Sequence, residues 1–472
     1  MAIQWSGLGP EFLLRLDRGS DQPLGSQLQA GLREAIRSGR LHAGERLPSS
    51  RELARELGVS RGLIQECYSQ LLSEGYLTSQ IGSATRVAAG TFSSTAEPAR
   101  RPESPPRLIA DFRSGVPDLA SFPRADWVWA TRQACGSVAT ADLDYGDPRG
   151  SAVLRTVIAG YLRRVRAAAA DPAHVVVSTG FAQGLSLVLR ALVQAGVRCA
   201  AFEDPGYGGV QTDESLRAAV ATGLRVIYVP VDELGVDVAA LEASGAQVVV
   251  VTPAHQSPTG VVLAASRRHA LVDWASRHGA FIVEDDYDSE FRYDREPVGV
   301  LQGLAPERVF TIGTASKALA PAVRLGWVLA PPSLADAVAA EKLISDRGSA
   351  TLDQLALAAL IQSGRYDRHL RRMRMIYAAR RTCLVAALSR HAHGVRLTGL
   401  AAGFHAVAHL HESADERAVV AAARERLVGL YGMSKYRASG VGGAPQLVLG
   451  FGNVSERAIE PGIAAVADLI GG

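Results

Sequence analysis

The sequence predicts an α/β protein in which a small helical unit precedes a large domain built on a mostly parallel sheet. Apolar residues recur at helical spacing before residue 88, whereas apolar strands alternate with amphipathic helices over residues 150–330. A stretch rich in Pro, Ser and Ala lies between them, over residues 89–107, and has no apolar period. We therefore expect one domain at 1–88, a flexible linker at 89–107 and a second domain at 108–472.

Composition places the chain among ordinary globular proteins. Hydrophobic residues make up 47% and charged residues 21% of the 472 positions, and the net charge of +3 does not by itself indicate nucleic acid. Without a long apolar run or a basic-then-apolar leader, we expect a cytoplasmic protein that does not contact a membrane. The four cysteines are too scattered for a metal knuckle or a disulfide scaffold, so we expect free thiols and no metal site.

The N-terminal pattern predicts three helices and a hairpin. An apolar stripe covers residues 28–36, a second short helix is expected at about 51–57, and residues 58–60 form a tight turn before a third helix. Two helices joined by such a turn are the helix-turn-helix arrangement. Residues 74–87 then predict a small hairpin that would form a wing.

The outward face of the third helix carries side chains suited to reading DNA bases. Arg61 and Gln65 lie opposite its apolar stripe, and arginine can read guanine while glutamine can read adenine in the major groove. The hairpin would place Gly82 and Ser83 at its tip. A helical protein-interaction module is the alternative, because outward polar residues are usually only solvated.

The large domain shows repeated apolar strands separated by helical patterns. Strands that are apolar throughout are typical of a parallel sheet covered on both faces, and active sites in such sheets lie at the carboxyl ends of the strands. The predicted strands are His174–Gly180, Ala200–Glu203, Arg225–Val229, Gln247–Val251, Ala280–Val283 and Arg308–Ile312, and a helix is expected over Gln183–Val193.

Lys317 follows the last of these strands and is one of only three lysines in a chain with 47 arginines. An amine can lose its proton and form a Schiff base with an aldehyde, which a guanidinium cannot do. A surface lysine after an ordinary helix cap is the other interpretation of this position. Thr314 and Ser316 beside it offer hydroxyl donors for a phosphate, and Arg324 adds a positive charge.

Two further strand ends complete the set. The turn at residues 180–182 offers free N–H groups at a helix start, which suit a phosphate. Asp285 and Tyr287 come just past a buried strand; a metal site is one interpretation, although no His lies among them, and a carboxylate facing a pyridinium nitrogen is the other. An amine, a carboxylate and a phosphate cup together are the parts that hold pyridoxal 5'-phosphate.

The order of these motifs resembles that of MocR regulators over essentially the whole chain. That family fuses a winged helix-turn-helix of the GntR family of bacterial transcription regulators to a fold-type-I aminotransferase-like domain. The resemblance implies a large part at about 150–330 and a smaller C-terminal α+β part at about 335–472. The motifs that carry it are Leu47–Ala54, Gly58–Arg61, Leu71–Leu77, Asp111–Asp118, Tyr145–Gly150, Glu203–Tyr207, Thr252–Gly260, Glu284–Phe291 and Thr314–Lys317.

The resemblance also implies a role for each residue of the candidate site. Lys317 would hold the aldehyde of pyridoxal phosphate as an internal aldimine, Asp285 would pair with the pyridine nitrogen, and Tyr287 would hydrogen-bond the ring oxygen. Tyr207 would stack on the cofactor ring. The phosphate would be bound by the N–H groups near Gly180, Phe181 and Ala182 with Thr314, Ser316 and Arg324, and double-stranded DNA would be contacted by Arg51, Ser60, Arg61, Gly82 and Ser83.

The expected effector is a small amine, an amino acid or pyridoxal phosphate itself. Relatives commonly carry Ser-Arg-Tyr near the C-terminus, where this chain has Ser434-Lys435-Tyr436, so a carboxylate would be bound by Lys435 or by Arg437. Some amino-acid-sensing relatives have an arginine where this chain has Gly209. His255 begins a stretch that replaces the Asn-Pro-Thr-Gly of aminotransferases, and it is a further candidate for contacting the effector.

Three classes of function each fit part of the chain. A DNA-binding regulator whose cofactor domain is the sensor explains both halves, and would control genes of amino-acid or vitamin B6 metabolism. An active aminotransferase with an accessory DNA-binding domain leaves the winged helix unexplained. A DNA-binding protein whose large domain is only a dimerisation scaffold leaves Lys317, Asp285 and Tyr287 unexplained. We favour the regulator, with residual half-transamination left open.

The resemblance further implies a homodimer, because fold-type-I sites are built at dimer interfaces, and hence paired or repeated promoter half-sites. The assembly would be head-to-tail if the linker lets a winged helix contact the large domain of the partner. An effector amine would exchange with Lys317 at the cofactor and shift the closure of the domain. Such a shift requires different effector affinities in the two states.

Overall fold

The chain forms two compact units, Met1–Pro105 and Pro106–Gly472, and each is described by itself. The structure, a computed structural model, describes residues 14, 16–79, 84–89, 107–207, 213–293, 298–438 and 442–471. Among the described helices, none combines the length and the apolar character needed to span a bilayer.

The described part of the N-terminal unit contains three helices, α1 (Leu24–Arg37), α2 (Ser50–Leu57) and α3 (Arg61–Ser73). The side chain of Ser49 caps α2 in a capping box with Glu52, so this helix begins one residue before the predicted start. Gly58 ends α2 in the left-handed region with φ 63°, which favours glycine. Buried apolar side chains from all three helices form one core, including Leu28, Leu32, Leu53, Ile64 and Leu71.

A two-stranded antiparallel hairpin follows the third helix. Strand β1 (Leu77–Thr78) pairs with β2 (Arg86–Val87), as the wing prediction requires. The predicted tip residues Gly82 and Ser83 lie outside the described residues.

The large unit is built on an eight-stranded sheet with helices on both faces. Its elements up to the end of the sheet are β3 (Ala110–Asp111), α4 (Arg124–Ser137), α5 (Ala152–Arg166), β4 (Val175–Ser178), α6 (Phe181–Gln194), β5 (Cys199–Asp204), α7 (Glu214–Ala221), β6 (Arg225–Asp232), β7 (Gly235–Val236), α8 (Val238–Ala243), β8 (Val248–Val251), α9 (Ala265–His278), β9 (Phe281–Asp286), β10 (Val309–Thr314), α10 (Ala315–Ala318) and β11 (Gly326–Leu329). The remaining elements are α11 (Ala335–Asp346), α12 (Thr351–Gln362), α13 (Arg365–His391), β12 (Arg396–Thr398), β13 (His405–His409), α14 (Glu416–Glu425), β14 (Val428–Gly429), β15 (Gln446–Gly450) and α15 (Glu456–Ile470).

The strand order is β4-β11-β10-β9-β8-β5-β6-β7. The neighbours among β10, β9, β8, β5 and β6 pair in parallel, which confirms the mostly parallel sheet. Strand β11 is antiparallel to both of its neighbours and was missed in the sequence, because four residues beginning with glycine carry no clear alternation. The central strands are buried on both faces, as their unbroken apolar runs predict; all four valines of β8 are fully buried.

The smaller part has its own three-stranded antiparallel sheet, in the order β12-β13-β15. The long helix α13 leads into it from the large sheet, and α15 packs along α13. Strand β14 pairs in parallel with β3, so the start of this unit joins its C-terminal part. The predicted boundary of the smaller part at about residue 335 therefore omits a segment from the beginning of the unit.

A buried ion pair fixes the end of β9, next to Asp285. The guanidinium of Arg166 donates to both carboxylate oxygens of Asp286, over 2.6 and 2.9 Å, and to the Val298 carbonyl over 2.6 Å. Both partners are almost completely buried, so each charge depends on the other. The sequence had suggested that the carboxylates of residues 284–286 lie just past the end of this strand. In the structure they lie inside it.

We predict that Arg166→Met lowers the free energy of unfolding by about 3–5 kcal/mol, because it leaves the Asp286 carboxylate buried without its partner. Urea unfolding of the full chain measures this loss. The double variant Arg166→Met/Asp286→Leu is the control and should recover much of the stability, since it removes both charges. Equal destabilisation in the single and double variants would contradict the ion-pair explanation.

Candidate functional site

Lys317 lies at the carboxyl edge of the large sheet, where β10 passes directly into α10. The hydroxyl of Thr314 caps this turn by accepting a hydrogen bond from the Ser316 N–H over 3.1 Å. The Lys317 Nζ donates to the Gly115 carbonyl over 2.6 Å. Burial lowers the pKa of the Lys317 amine, and the nearby charges of Asp285 and Asp288 act in the opposite direction. The neutral, nucleophilic form of the amine is therefore easier to reach than in a surface lysine.

Asp285 lies on the neighbouring strand β9, in register with Ile312 of β10. Its Oδ2 accepts a hydrogen bond from the Tyr207 hydroxyl over 2.8 Å. Its Oδ1 is buried and has no hydrogen-bond partner among the residues that the structure describes. Burial raises the pKa of Asp285 to about 8, against the opposing effects of the Tyr207 hydrogen bond and the Lys317 charge. A buried oxygen without a partner needs a donor, and a protonated ring nitrogen would supply one.

The turn after β4 forms an anion cup. Gly180 has φ 119°, a left-handed conformation that favours glycine, and α6 begins immediately after it without a side-chain cap. A Cβ placed on Gly180 would lie 3.6 Å from Arg324 Nη1 and 3.9 Å from the hydroxyl oxygens of Ser316 and Thr314. Two hydroxyls, one guanidinium and the open helix start therefore converge on one point, which is an arrangement that binds phosphate.

These groups surround a single cavity of about 340 Å³. Every residue predicted to contact the cofactor lines this cavity except Gly180, which directly precedes the lining residue Phe181. Its lining consists of Ser114, Gly115, Phe181, Ala182, Tyr207, Ser257, Asp285, Tyr287, Thr314, Ser316, Lys317, Pro321 and Arg324.

The two tyrosines of the site have different surroundings. The ring of Tyr207 lies parallel to that of Phe181, with centroids 5.7 Å apart. The Tyr287 hydroxyl donates to the His255 carbonyl over 3.0 Å and lies 3.3 Å from the His255 Nδ1. Tyr287 is thus oriented by the segment that follows β8.

His255 does not line the cavity but lies behind Tyr287. Its Nδ1 is 2.8 Å from the Asp288 Oδ2, and its ring packs on that of His405 with centroids 4.5 Å apart. The ligating atoms of His255, Asp288 and His405 all lie within 4.8 Å of one another. The His255 imidazole and the Asp288 carboxylate already pair with each other. We therefore assign this cluster to positioning Tyr287 between the large sheet and strand β13.

Lys435 and Arg437 also lie outside the cavity lining. Lys435 is exposed, with its amine 5.5 Å from the Tyr431 ring centroid and 5.9 Å from that of Tyr436. It lines a separate cavity of about 470 Å³ beside α14. The structure therefore does not bring Lys435 to Lys317. Gly209, the other departure from relatives, lies outside the described residues.

Lys342 is a functional candidate that the sequence reasoning missed. Its amine is fully buried and donates to Gln183 Oε1 over 2.9 Å and to Asp346 Oδ2 over 2.6 Å. The same Gln183 oxygen accepts from the Thr179 N–H, directly before the anion cup, over 2.9 Å. Lys342 is one of only three lysines in the chain, and this rarity, which also marks Lys317, is the signal that points to it in the sequence.

The residues predicted to contact DNA are accessible in the N-terminal unit. Arg51, Arg61 and Gln65 are exposed, and the last two lie on one outward face of α3. The Ser60 hydroxyl instead caps α3 by accepting from the Leu63 N–H over 3.2 Å, so its first role is structural.

Two family profiles match the chain in this order. The family described as "Bacterial regulatory proteins, gntR family" matches residues 24–87, and "Aminotransferase class I and II" matches residues 111–437. The chain belongs to the regulators of MocR type, which join a GntR-type helix-turn-helix to a class I and II aminotransferase domain. Pyridoxal 5'-phosphate is the cofactor of this class of domain, and the residues around Lys317 fit it.

Similar proteins share this organisation over nearly their full length. The chain is 33% identical to the probable rhizopine catabolism regulatory protein MocR of Rhizobium meliloti, over 96% of this chain and 94% of that protein. It is 34% identical to the pyridoxine biosynthesis transcriptional regulator PdxR of Corynebacterium glutamicum, over 94% and 95% of the two chains. Among solved structures, a kynurenine aminotransferase of Pyrococcus horikoshii has the fold of the large unit, with a TM-score of 0.69 and 24% identity over 77% of this chain and 91% of that chain.

We predict that Lys342→Met weakens cofactor binding by at least about tenfold, because it removes a charged hydrogen bond to the Gln183 oxygen that also accepts from the Thr179 N–H before the anion cup. Titration of the cofactor-free protein with pyridoxal phosphate, followed by absorbance, measures this affinity. Lys435→Met is the matched control and should bind normally, since it removes an exposed amine outside the cavity. Equal affinity in all three proteins would show that the Lys342 network does not position the cup.

Proposed function

We propose that this protein is a pyridoxal-phosphate-dependent transcriptional regulator that senses a small amine, an amino acid or pyridoxal phosphate itself at Lys317. The observation that carries the proposal is the unpartnered, buried Oδ1 of Asp285 at the edge of the cavity that holds the Lys317 amine. A domain that served only for dimerisation would not need the Asp285 oxygen and the Lys317 amine at one cavity. They occur in a chain that also carries a DNA-binding unit.

Each part of the cofactor has a matching group in the cavity. The Lys317 amine would hold the aldehyde carbon, and Asp285 would hold the ring nitrogen by its free oxygen. The phosphate would be held by the cup at Gly180 with Thr314, Ser316 and Arg324. When bound, the cofactor supplies an electrophilic carbon that can react reversibly with amines.

The ionisation of Asp285 suits this role. Burial raises the pKa of the Asp285 carboxyl group to about 8, so this group can carry a proton at neutral pH. Asp285 would share this proton with the ring nitrogen of the cofactor, and the resulting carboxylate would be paired with a cation, which removes the cost of burying an isolated charge. Tyr207 remains hydrogen-bonded to the other oxygen and holds the carboxyl plane in place.

The range of effectors that we propose follows the site and the named relatives. One relative is named for rhizopine catabolism and another for pyridoxine biosynthesis, so control of amino-acid or vitamin B6 genes is the corresponding proposal for this chain. Because Lys435 and Arg437 both lie outside the cavity lining, neither is proposed to bind an effector carboxylate inside it. His255 would act on the effector only through Tyr287. Screening amines for a change in the absorbance of the bound cofactor tests this range.

We predict that the purified protein shows an absorbance band near the visible edge and that Lys317→Ala abolishes it, because no other described amine lines the cavity. An absorbance spectrum measures the band after the protein has been loaded with pyridoxal phosphate and the unbound cofactor has been removed by dialysis. Lys435→Ala is the control and should retain it. A wild-type protein without any band would contradict the cofactor proposal.

DNA contact is proposed for the exposed face of α3. We predict that Arg61→Ala weakens binding to a promoter fragment by about 1–3 kcal/mol and relaxes base preference, because arginine reads guanine with two hydrogen bonds. Fluorescence anisotropy at fixed salt measures the affinity. Arg277→Ala removes an equal charge from the large unit, where that side chain pairs with Glu242, and should bind DNA as the wild type does. Equal losses in both variants would indicate a nonspecific charge effect.

A homodimer is proposed from an exposed apolar surface on the large unit. Leu143, Tyr145 and Ile344 are 61%, 70% and 73% exposed, and Arg347, close to Ile344 in sequence, lies 4.6 Å from the Tyr145 ring centroid. Large apolar side chains concentrated in one region are typical of an interface. Sedimentation analysis should therefore show a dimer that Ile344→Glu dissociates, whereas a monomeric wild-type protein would exclude the dimer.

Catalysis remains the second candidate function, because the fold of the large unit is that of working aminotransferases and Lys317 lies in the corresponding kind of cavity. Formation of a 2-oxo acid from amino acids tests it. Repeated turnover would favour the enzyme, and at most one turnover per chain would favour a sensor with residual half-transamination.

A further inference from the structure

A second cavity, of about 310 Å³, lies on the large unit and shares no lining residue with the Lys317 cavity. One wall consists of residues 120–126, which lead into α4. The other wall is the face of α13 that carries Arg368, His369 and Arg372. Nothing in the proposed cofactor or DNA function uses this cavity.

The cavity walls carry a positive charge that is not compensated. Arg124, Arg368 and Arg372 line it, and among the described residues none of them forms an ion pair. Asp126 is the only acidic residue in the lining, and it pairs with Arg365. The nearby Asp367 pairs with Arg164.

The three arginines are exposed, so their guanidinium donors are open to an anion from solution. Arg368 and Arg372 are four residues apart on one helix, and like charges at this spacing repel each other. Among the described residues, the Arg124 guanidinium forms only one hydrogen bond, a long one of 3.5 Å to the Ala120 carbonyl. In addition, α4 begins at Arg124 without a side-chain cap, which adds the positive end of a helix dipole to the same cavity.

We propose that this cavity is a binding site for a small oxyanion, a metabolite that bears a phosphate or a carboxylate group. Guanidinium groups match both anions through paired N–H donors, and three of them can surround one anionic group. The volume admits a small molecule.

His369 connects this site to Lys317. The imidazole lines the cavity, and its Nε2–H donates to the carbonyl of Ala318, the residue after Lys317, over 2.9 Å. An anion held by Arg368 and Arg372 would contact the imidazole that orients α10. This part of the inference rests on the proposed function, because it gives the sensor a second input that acts on the cofactor-binding lysine.

The test is calorimetric titration of the cofactor-loaded full chain with inorganic phosphate and, separately, with succinate, against chloride at equal ionic strength. Loading the cofactor keeps phosphate out of the anion cup at Gly180. We expect saturable binding in the wild type and at least about tenfold weaker binding in Arg368→Gln/Arg372→Gln. Arg371→Gln is the matched control, since Arg371 is exposed on the same helix but does not line the cavity, and it should bind like the wild type.

Binding of phosphate alone would identify a phosphate-bearing ligand, and binding of succinate alone a carboxylate. No binding of either anion, or an equal loss in Arg371→Gln, would overturn the proposal. The link to Lys317 is tested by the absorbance of the bound cofactor, which phosphate should shift in the wild type but not in His369→Phe. A protein without any cofactor band would sink the proposed function instead, while the comparison of the arginine variants would still decide the anion site.

Discussion

The site depends on a half-buried amine and a buried carboxyl group that line one cavity at the edge of a sheet. Burial raises the pKa of Asp285 and lowers that of Lys317, and the charge of each group opposes the shift of the other. An isolated carboxylate would be costly at the position of Asp285. The pair therefore suits a ligand with a cationic ring nitrogen and an electrophilic carbon.

The surrounding fold supplies the rigidity that this pair needs. Asp286, next to Asp285, is held by the buried guanidinium of Arg166, and Glu284 on the other side accepts two hydrogen bonds from the Leu301 N–H. The turn that forms the anion cup is held from behind by Lys342 through Gln183. Groups that bind a cofactor must be fixed to within fractions of an ångström, and such supporting contacts provide that precision.

Much of the fold follows from the sequence, because the central strands of the large sheet contain unbroken apolar runs and each predicted strand is present. The roles of two turn residues also follow from the residue type: Gly180 takes a left-handed conformation, and Ser60 caps a helix. Strand β11 was not predicted, and it pairs antiparallel with both of its neighbours. Its place in the sheet is decided by pairing with residues far away in the chain.

The direction of individual side chains was harder to predict than their position. A motif locates Lys435 in the sequence, but the short helical turn at Met433–Tyr436 directs its amine to the surface. Lys342 was not singled out as a functional residue, because its partner Gln183 is 159 residues away in the chain. The unpartnered oxygen of Asp285 likewise depends on packing from several segments, so only the structure exposes it.

We propose that the state of the Lys317 cavity controls binding to DNA. The affinity of the full chain for one promoter fragment should be compared with and without bound pyridoxal phosphate, at constant salt. We expect different dissociation constants for the two states in the wild type and no difference in Lys317→Ala. Equal affinities of the cofactor-loaded and cofactor-free wild-type protein would contradict it.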